Sequence, residues 1–203
     1  MKNGMILGAI ALGMISGLAN AGTIKLDTTA LNGGNGGGAF KATSLTGYNG
    51  ETDGAGQFLT FCMEKYETFT PGQNYTTTIN DHTIGAVGNV ALSAKVAFLY
   101  TNYRLGSLAG FDNSPSDNGK LQEAIWALQN NMAAPAPGAN EFYDLAIASN
   151  WQDIGNVRVL NLYSSDGSMR QDQLTMVPLP PAAWAGLATM GVAAIARRRS
   201  MKR

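Results

Sequence analysis

The spacing of apolar and polar residues predicts strands at both ends of the central chain and helices between them. Alternating residues predict strands at positions 23–26, 57–69, 75–79, 157–162 and 173–177. In between, apolar residues recur every three or four positions. This predicts one helix capped by Ser93, a second carrying Leu121 to Leu128, and a third over about 140–149. Strands, then helices, then strands indicate an α+β domain, a β-sandwich-like part with a helical insert.

A glycine-rich segment, residues 32–38 with the sequence NGGNGGG, interrupts the first strands. It approaches the pattern of a dinucleotide-binding loop. However, no buried hydrophobic strand precedes it and no helical pattern follows it. We therefore interpret the segment as an ordinary loop.

The first 21 residues have the pattern of an export signal. Lys2 precedes an apolar run over residues 5–18, and Ala19-Asn20-Ala21 supplies the small residues that a signal peptidase accepts. The alternative, a first core helix, is disfavoured because the run is short and rich in glycine. The sequence predicts a signal peptide at 1–21 and an exported domain at 22–176.

The last segment, residues 177–203, combines a proline motif, a short apolar run and a basic cluster. As a helix, residues 182–196 would reach about 22 Å, less than the roughly 30 Å of a hydrocarbon core, so the sequence predicts a marginal transmembrane helix. The arginines favour the cytoplasmic side. The motif residues are Val177, Pro178, Pro180, Pro181, Arg197, Arg198 and Arg199.

This tail, in the variant VPLPPAAW, resembles the PEP-CTERM sorting signals of Gram-negative-type bacteria. The resemblance implies processing by an exosortase-type membrane protease after signal peptidase has acted. It also implies transient anchoring in the inner membrane and delivery to the cell surface or extracellular matrix. The sequence leaves open whether the terminal helix is retained.

Charge and composition exclude several classes of protein. Setting aside Lys2 and the five basic residues near the end leaves 8 basic against 14 acidic residues, a net charge of about −6. A nucleic-acid-binding protein needs a basic face, which this composition does not supply. The chain has one cysteine, Cys62, and one histidine, His82, too few for a typical structural zinc site. We predict no metal and no cofactor.

A lone cysteine in an exported chain cannot form an intramolecular disulfide. The remaining roles for Cys62 are an inert buried thiol, an intermolecular disulfide, a nucleophile, or a covalent bond to a group other than sulfur. On an extended strand Cys62 shares a face with Phe58, opposite Phe61 and Met63.

Three motifs follow in order: residues 61–64 (FCME), 97–100 (AFLY) with Tyr103, and 121–126 (LQEAIW). Together they resemble the successive motifs of bacterial thioester domains, surface modules that contain an internal Cys–Gln thioester. The resemblance implies that Cys62 supplies the sulfur and Gln122 the acyl group. It covers about residues 57–129, and the family's typical occurrence in Gram-positive adhesins leaves the target of this chain open.

Such chemistry needs supporting groups. A thiol must be activated by a neighbouring base or a lowered pKa, and the acyl bond must be shielded from water. The sequence offers Glu64, Glu123, Tyr66 and His82 as candidates for activation, without selecting one of them. The aromatic candidates for shielding are Trp126, Phe58 and Tyr100.

The sequence therefore predicts an exported surface protein that attaches once, covalently, to an amine or hydroxyl on a target, and that is not a turnover enzyme. Two alternatives remain. One is a noncovalent scaffold of the extracellular matrix or biofilm with an inert Cys62. The other is a secreted enzyme that uses Cys62 with His82.

Overall fold

The part of the chain that the structure describes contains six strands and three helices. The fold was obtained as a computed structural model that describes residues 19–34, 36–85, 88–129 and 132–178, with side chains from Gly22 onward. The elements, in chain order, are β1 (Ala19–Asp27), β2 (Phe40–Thr46), β3 (Gln57–Thr60), β4 (Gln73–Asn80), α1 (Ala94–Arg104), α2 (Pro115–Leu128), α3 (Glu141–Ala148), β5 (Val157–Tyr163) and β6 (Met169–Met176).

All six strands form one antiparallel sheet in the order β3-β2-β1-β4-β5-β6. The sheet curls until the segment after β3 meets β6, the opposite edge. Cys62 forms an antiparallel bridge with Gln173, and the Met63 amide donates to the Asp172 carbonyl at 2.8 Å. The curl places Cys62 at the junction of the two edges.

Alternation along the strands creates two apolar clusters. Inside the curl, Ile24, Phe40, Leu160 and other residues form one cluster that includes Cys62. The outer face of β5 and β6 packs against the three helices through residues such as Val159. Both faces of the β5–β6 region are therefore covered, and all but two residues of β5, Arg158 and Tyr163, are buried.

The three helices are inserted between β4 and β5, and each begins at a polar capping residue. Ser93, Ser114 and Asn140 accept hydrogen bonds from backbone amides in the first turns of α1, α2 and α3. The longest helix, α2, has 14 residues. Within the described ranges, no helix has the length and apolar character needed to cross a membrane.

The predicted α+β organisation, with a helical insert between strands, agrees with the structure. We expected a sandwich-like β part, whereas the described strands form a single curled sheet. The predicted strand over 57–69 ends at Thr60, because the chain then turns toward β6. The sequence analysis missed β2, whose only large buried side chain is Phe40.

The predicted terminal signals fall largely outside the described residues. Residues 1–18 of the export signal lie outside, while Ala19-Asn20-Ala21 begin β1. The ladder between β1 and β2 starts only at Thr23, so cleavage after Ala21 would leave that ladder intact. Val177 and Pro178 are the last described residues. The rest of the sorting segment lies outside, including Pro180, Pro181, Arg197, Arg198 and Arg199.

Candidate functional site

Cys62 and Gln122 lie together, although sixty positions separate them in the chain. Cys62 comes from the β3–β6 junction and Gln122 from α2, and both residues are fully buried. The Gln122 amide pairs with the backbone of Cys62. Its Oε1 accepts from the Cys62 amide at 2.8 Å, and its Nε2 donates to the Cys62 carbonyl at 2.7 Å. The structure thus brings together the two residues that the family resemblance singles out.

The Gln122 oxygen has a second backbone donor. The Gly38 amide donates to Oε1 at 3.0 Å, so two N–H groups converge on one carbonyl oxygen. Two fixed donors on a carbonyl oxygen stabilise the negative charge that develops there when a nucleophile adds to the carbon. The arrangement has the chemical character of an oxyanion hole around the Gln122 side-chain amide.

The glycine-rich segment supplies this donor by packing its backbone directly on α2. A Cβ atom at Gly37 would lie 2.1 Å from Gln122 Cγ, and one at Gly33 would lie 2.3 Å from Gly119 Cα. No side chain larger than hydrogen fits at such distances. Part of the segment that we interpreted as an ordinary loop is therefore a close-packed wall of the Gln122 site.

The Cys62 thiol contacts two glutamines of β6. Sγ donates to Gln171 Oε1 at 3.0 Å, and Gln173 Nε2 donates to Sγ at 3.5 Å. Burial raises the pKa of the Cys62 thiol to about 12; the hydrogen bond from Gln173 acts in the opposite direction, and nearby Glu64 adds to the rise. At neutral pH the sulfur is therefore a protonated thiol, whereas the sequence led us to expect some activation.

Glu64 lies beside the thiol in the chain but forms no hydrogen bond to it. Its Oε2 accepts from the Asp172 amide at 3.0 Å. Burial, followed by the neighbouring carboxylate of Asp172, raises the pKa of Glu64 to about 8. A carboxyl group with this pKa is largely protonated at neutral pH, so Glu64 is a poor base for the thiol under those conditions.

Trp126 and Phe58, two of the aromatic candidates, share the inner apolar cluster with Cys62. Trp126 lies one turn after Gln122 on α2 and is 3% exposed. A Cβ atom at Gly37 would lie 3.0 Å from its ring, so Trp126 borders the same packed region as Gln122. Phe58 is also buried and stacks on Tyr48 with ring centroids 5.1 Å apart.

The other candidates lie away from the pair. Tyr100 belongs to the outer cluster, and its hydroxyl donates to the Leu59 carbonyl at 2.8 Å. The Nδ1 atom of His82 pairs with Asp81 at 2.7 Å, so the structure does not form a Cys62–His82 dyad. Tyr66 and Glu123 are exposed to solvent.

A cavity of about 720 Å³ lies between β3 and the end of α1. Phe58, Leu59, Tyr103 and Arg104 are among the residues that line it, whereas Cys62 and Gln122 are not. The buried pair of Cys62 and Gln122 is therefore not part of this cavity. Across the described ranges, no group of three or more His, Cys, Asp or Glu residues is arranged to hold a metal ion.

Sequence analysis missed four residues of the site: Gly37, Gly38, Gln171 and Gln173. The glycines were read as a loop because their function depends on close approach to α2, which is a tertiary property. The glutamines carried no local signal, because residues 171–173 are all polar in sequence and the burial of residues 171–176 is seen only in the structure. A polar amide at such a position indicates a buried hydrogen-bond partner.

Comparison with known proteins adds no assignment: no family model, no curated protein and no solved structure matches the chain.

Proposed function

We propose that the protein is an exported surface protein that forms an internal thioester between Cys62 and Gln122 and uses it once for covalent attachment. One observation carries this proposal: the side-chain oxygen of Gln122 accepts hydrogen bonds from the backbone amides of Cys62 and Gly38. On this proposal, the curled sheet and its helical insert are the scaffold of a thioester domain.

The proposed reaction exchanges one bond for another. The Cys62 sulfur adds to Gln122 Cδ, and the oxygen takes up negative charge between its two backbone donors. The C–N bond then breaks, and the nitrogen leaves as ammonia, carrying the proton that the thiol loses. Holding the reactants in place supplies much of what solution lacks, since amides resist thiols in water.

A target amine or hydroxyl would then take the acyl group of Gln122 from Cys62. The nucleophile adds to the same carbon, the C–S bond breaks, and Cys62 returns as a thiol while the target remains joined to Gln122. Each molecule acts once, so the protein is a single-turnover adhesin and not a catalyst. A covalent link suits attachment at a cell surface or in a matrix.

Intact mass tests this proposal directly. We expect the protein purified without nucleophilic buffers to lack the mass of one ammonia, and to gain the mass of one methylamine on treatment. Cys62→Ala and Gln122→Ala should abolish both changes, whereas Gln152→Ala, an exposed glutamine, should keep them. An unmodified mass in the wild-type protein under these conditions would rule the thioester out.

A noncovalent matrix scaffold remains the second candidate. The observation that favours it is the complete burial of the Cys62 thiol and the rise of its pKa to about 12, which are also properties of an inert core cysteine. The two candidates give opposite results in the mass measurement.

We also propose that the ends of the chain direct its export. The resemblance of residues 177–203 to a PEP-CTERM signal supports cleavage by an exosortase-type protease at the inner membrane. We expect cells with such a protease to yield a chain that starts near Gly22 and lacks the terminal arginines. Replacing Pro180 and Pro181 with alanine should leave the C-terminal segment attached, as read from the terminal peptides. An intact C-terminus in wild-type cells would contradict the proposal.

A further inference from the structure

Two buried glutamines of β6 form hydrogen bonds with the Cys62 thiol. Gln171 is 4% exposed and Gln173 is fully buried. Burying an amide side chain is unfavourable unless its polar atoms are satisfied, and an apolar residue would pack on this strand without that cost. Their presence in the buried part of β6, residues 171–176, therefore calls for a physical reason.

The hydrogen bonds of the two amides converge on the sulfur. Gln171 Oε1 accepts the thiol proton at 3.0 Å, while Gln171 Nε2 is anchored on the Glu64 carbonyl. Gln173 Nε2 donates to Sγ at 3.5 Å and to the Gln171 carbonyl at 3.2 Å. Gln173 Oε1 is buried without a hydrogen-bond partner among the described residues. The side-chain amide of Gln173 is thus oriented so that its nitrogen is hydrogen-bonded, while its oxygen is left without a partner among the described residues.

A thiol sulfur has one proton and two lone pairs. The proton is directed to Gln171 and one lone pair accepts from Gln173, which leaves one lone pair uncommitted. A side chain fixed in this way has a single reactive direction. The donor from Gln173 also stabilises negative charge on sulfur. This charge is present once the thiol has lost its proton, and it develops again when the sulfur departs from the acyl carbon.

We propose that Gln171 and Gln173 are positioning residues that fix the Cys62 thiol for its reaction with Gln122. This inference rests on the proposed thioester. Gln171 orients the S–H bond, and Gln173 stabilises the charge on the sulfur when the proton leaves. Neither amide takes up this proton, which departs with the ammonia. No carboxylate or imidazole among the described residues hydrogen-bonds to the sulfur, and the glutamine pair accounts for how a buried thiol becomes reactive without one.

The first test isolates the thiol from thioester chemistry. In a Gln122→Ala background the chain has one free cysteine, so its S–H stretching band in the infrared belongs to Cys62 alone. We expect the band at the frequency of a hydrogen-bonded thiol, shifting to higher frequency when Gln171→Met is added. Gln173→Met should slow alkylation of Cys62 about tenfold at a given pH, the effect of losing one hydrogen bond to a charged group.

The second test measures the reaction itself. With Gln122 intact, Gln171→Met and Gln173→Met should each delay the loss of ammonia after refolding, followed by intact mass. Gln173→Met should also slow the reaction of any thioester with methylamine. Gln152→Met, an exposed glutamine, is the matched control and should change none of these rates.

The outcomes separate the two proposals. A free-thiol S–H frequency in Gln122→Ala overturns the positioning role without requiring any variant of β6 to fold. Unchanged S–H frequency and alkylation rates in the β6 variants overturn it as well, even if the thioester forms. A third outcome is that the S–H frequency and the alkylation rate change as expected while the wild-type protein never loses ammonia. In that case the thioester is refuted, and so is the role of the two glutamines in the reaction of Cys62 with Gln122.

Discussion

At the scale of single residues, the site separates two tasks that one catalytic group often combines. Backbone amides of Cys62 and Gly38 bind the Gln122 oxygen, while side chains of β6 hold the sulfur. None of these groups titrates near neutral pH. The ionisable neighbours are Glu64 and Asp172, and the backbone amide of Asp172 donates to the Glu64 carboxyl group.

The two buried carboxyls predict how stability depends on pH. Burial is the main cause that raises the pKa of Glu64 to about 8 and that of Asp172 to about 6, above their ordinary values of 4.5 and 3.8. The folded state therefore binds more protons than the unfolded state between these limits. The stability that the raised pKa values contribute is fully present at about pH 4 and is lost as pH rises toward 8.

We expect Glu64→Gln to flatten this decline, making the variant more stable than the wild type at about pH 8.5 by about 2 kcal/mol. At about pH 4 the two proteins should have similar stability. Urea denaturation at a series of pH values measures the effect, and Glu123→Gln, which changes an exposed carboxyl, is the control. Between about pH 5 and about pH 8 we expect the stability of the wild type to fall. A rise over this range would contradict the raised pKa values of Glu64 and Asp172.

At the scale of elements, the site depends on the contact between the glycine segment and α2. Backbone meets backbone at Gly33 and Gly119, and backbone meets side chain at Gly37 and Gln122. This contact brings the Gly38 amide within hydrogen-bond distance of Gln122. The glycine segment thus packs on α2 through small residues, and the position of Gln122 depends on their size.

Gly37→Ala tests this dependence. The added Cβ would lie 2.1 Å from Gln122 Cγ, so the side chain must move away from its backbone donors. We expect a loss of stability of about 1–3 kcal/mol, typical of overpacking, together with loss of the ammonia mass difference. Thermal denaturation and intact mass measure the two effects.

Gly54→Ala is the matched control, because a Cβ at Gly54 meets nothing within 4 Å. It should leave both the stability and the mass unchanged. Full ammonia loss in Gly37→Ala would show that the close contact is not needed to place Gln122.

At the scale of the whole molecule, sequence predicted the features that arise from local pattern. The three helices followed from apolar spacing, and the Ser93 cap is confirmed by its hydrogen bond to the Lys95 amide. β2 was missed because its inward residues include the small Ala42, and its Leu45 is exposed, so the alternation is weak.

The closure of the sheet was not predictable in the same way. Curvature arises from twist accumulated over six strands, and no short stretch of sequence records it. The meeting of Cys62 with Gln173 across the sheet edges, and with it the environment of the sulfur, therefore appeared only in three dimensions. Cys62 and Gln122 were predicted together through their resemblance to a family. Without that resemblance, Cys62 would be an ordinary buried thiol and Gln122 a surface residue of a helix.

The source of the two donors to Gln122 has a practical consequence. Main-chain N–H groups survive almost any exchange of side chain except one to proline. A chain with serine or alanine at position 62 should thus keep both backbone hydrogen bonds to Gln122 and the same outer surface, while it lacks the sulfur. Such a molecule is a control for the proposed attachment. The binding that it retains measures recognition by shape and charge, and the binding that it loses measures the contribution of the proposed covalent bond.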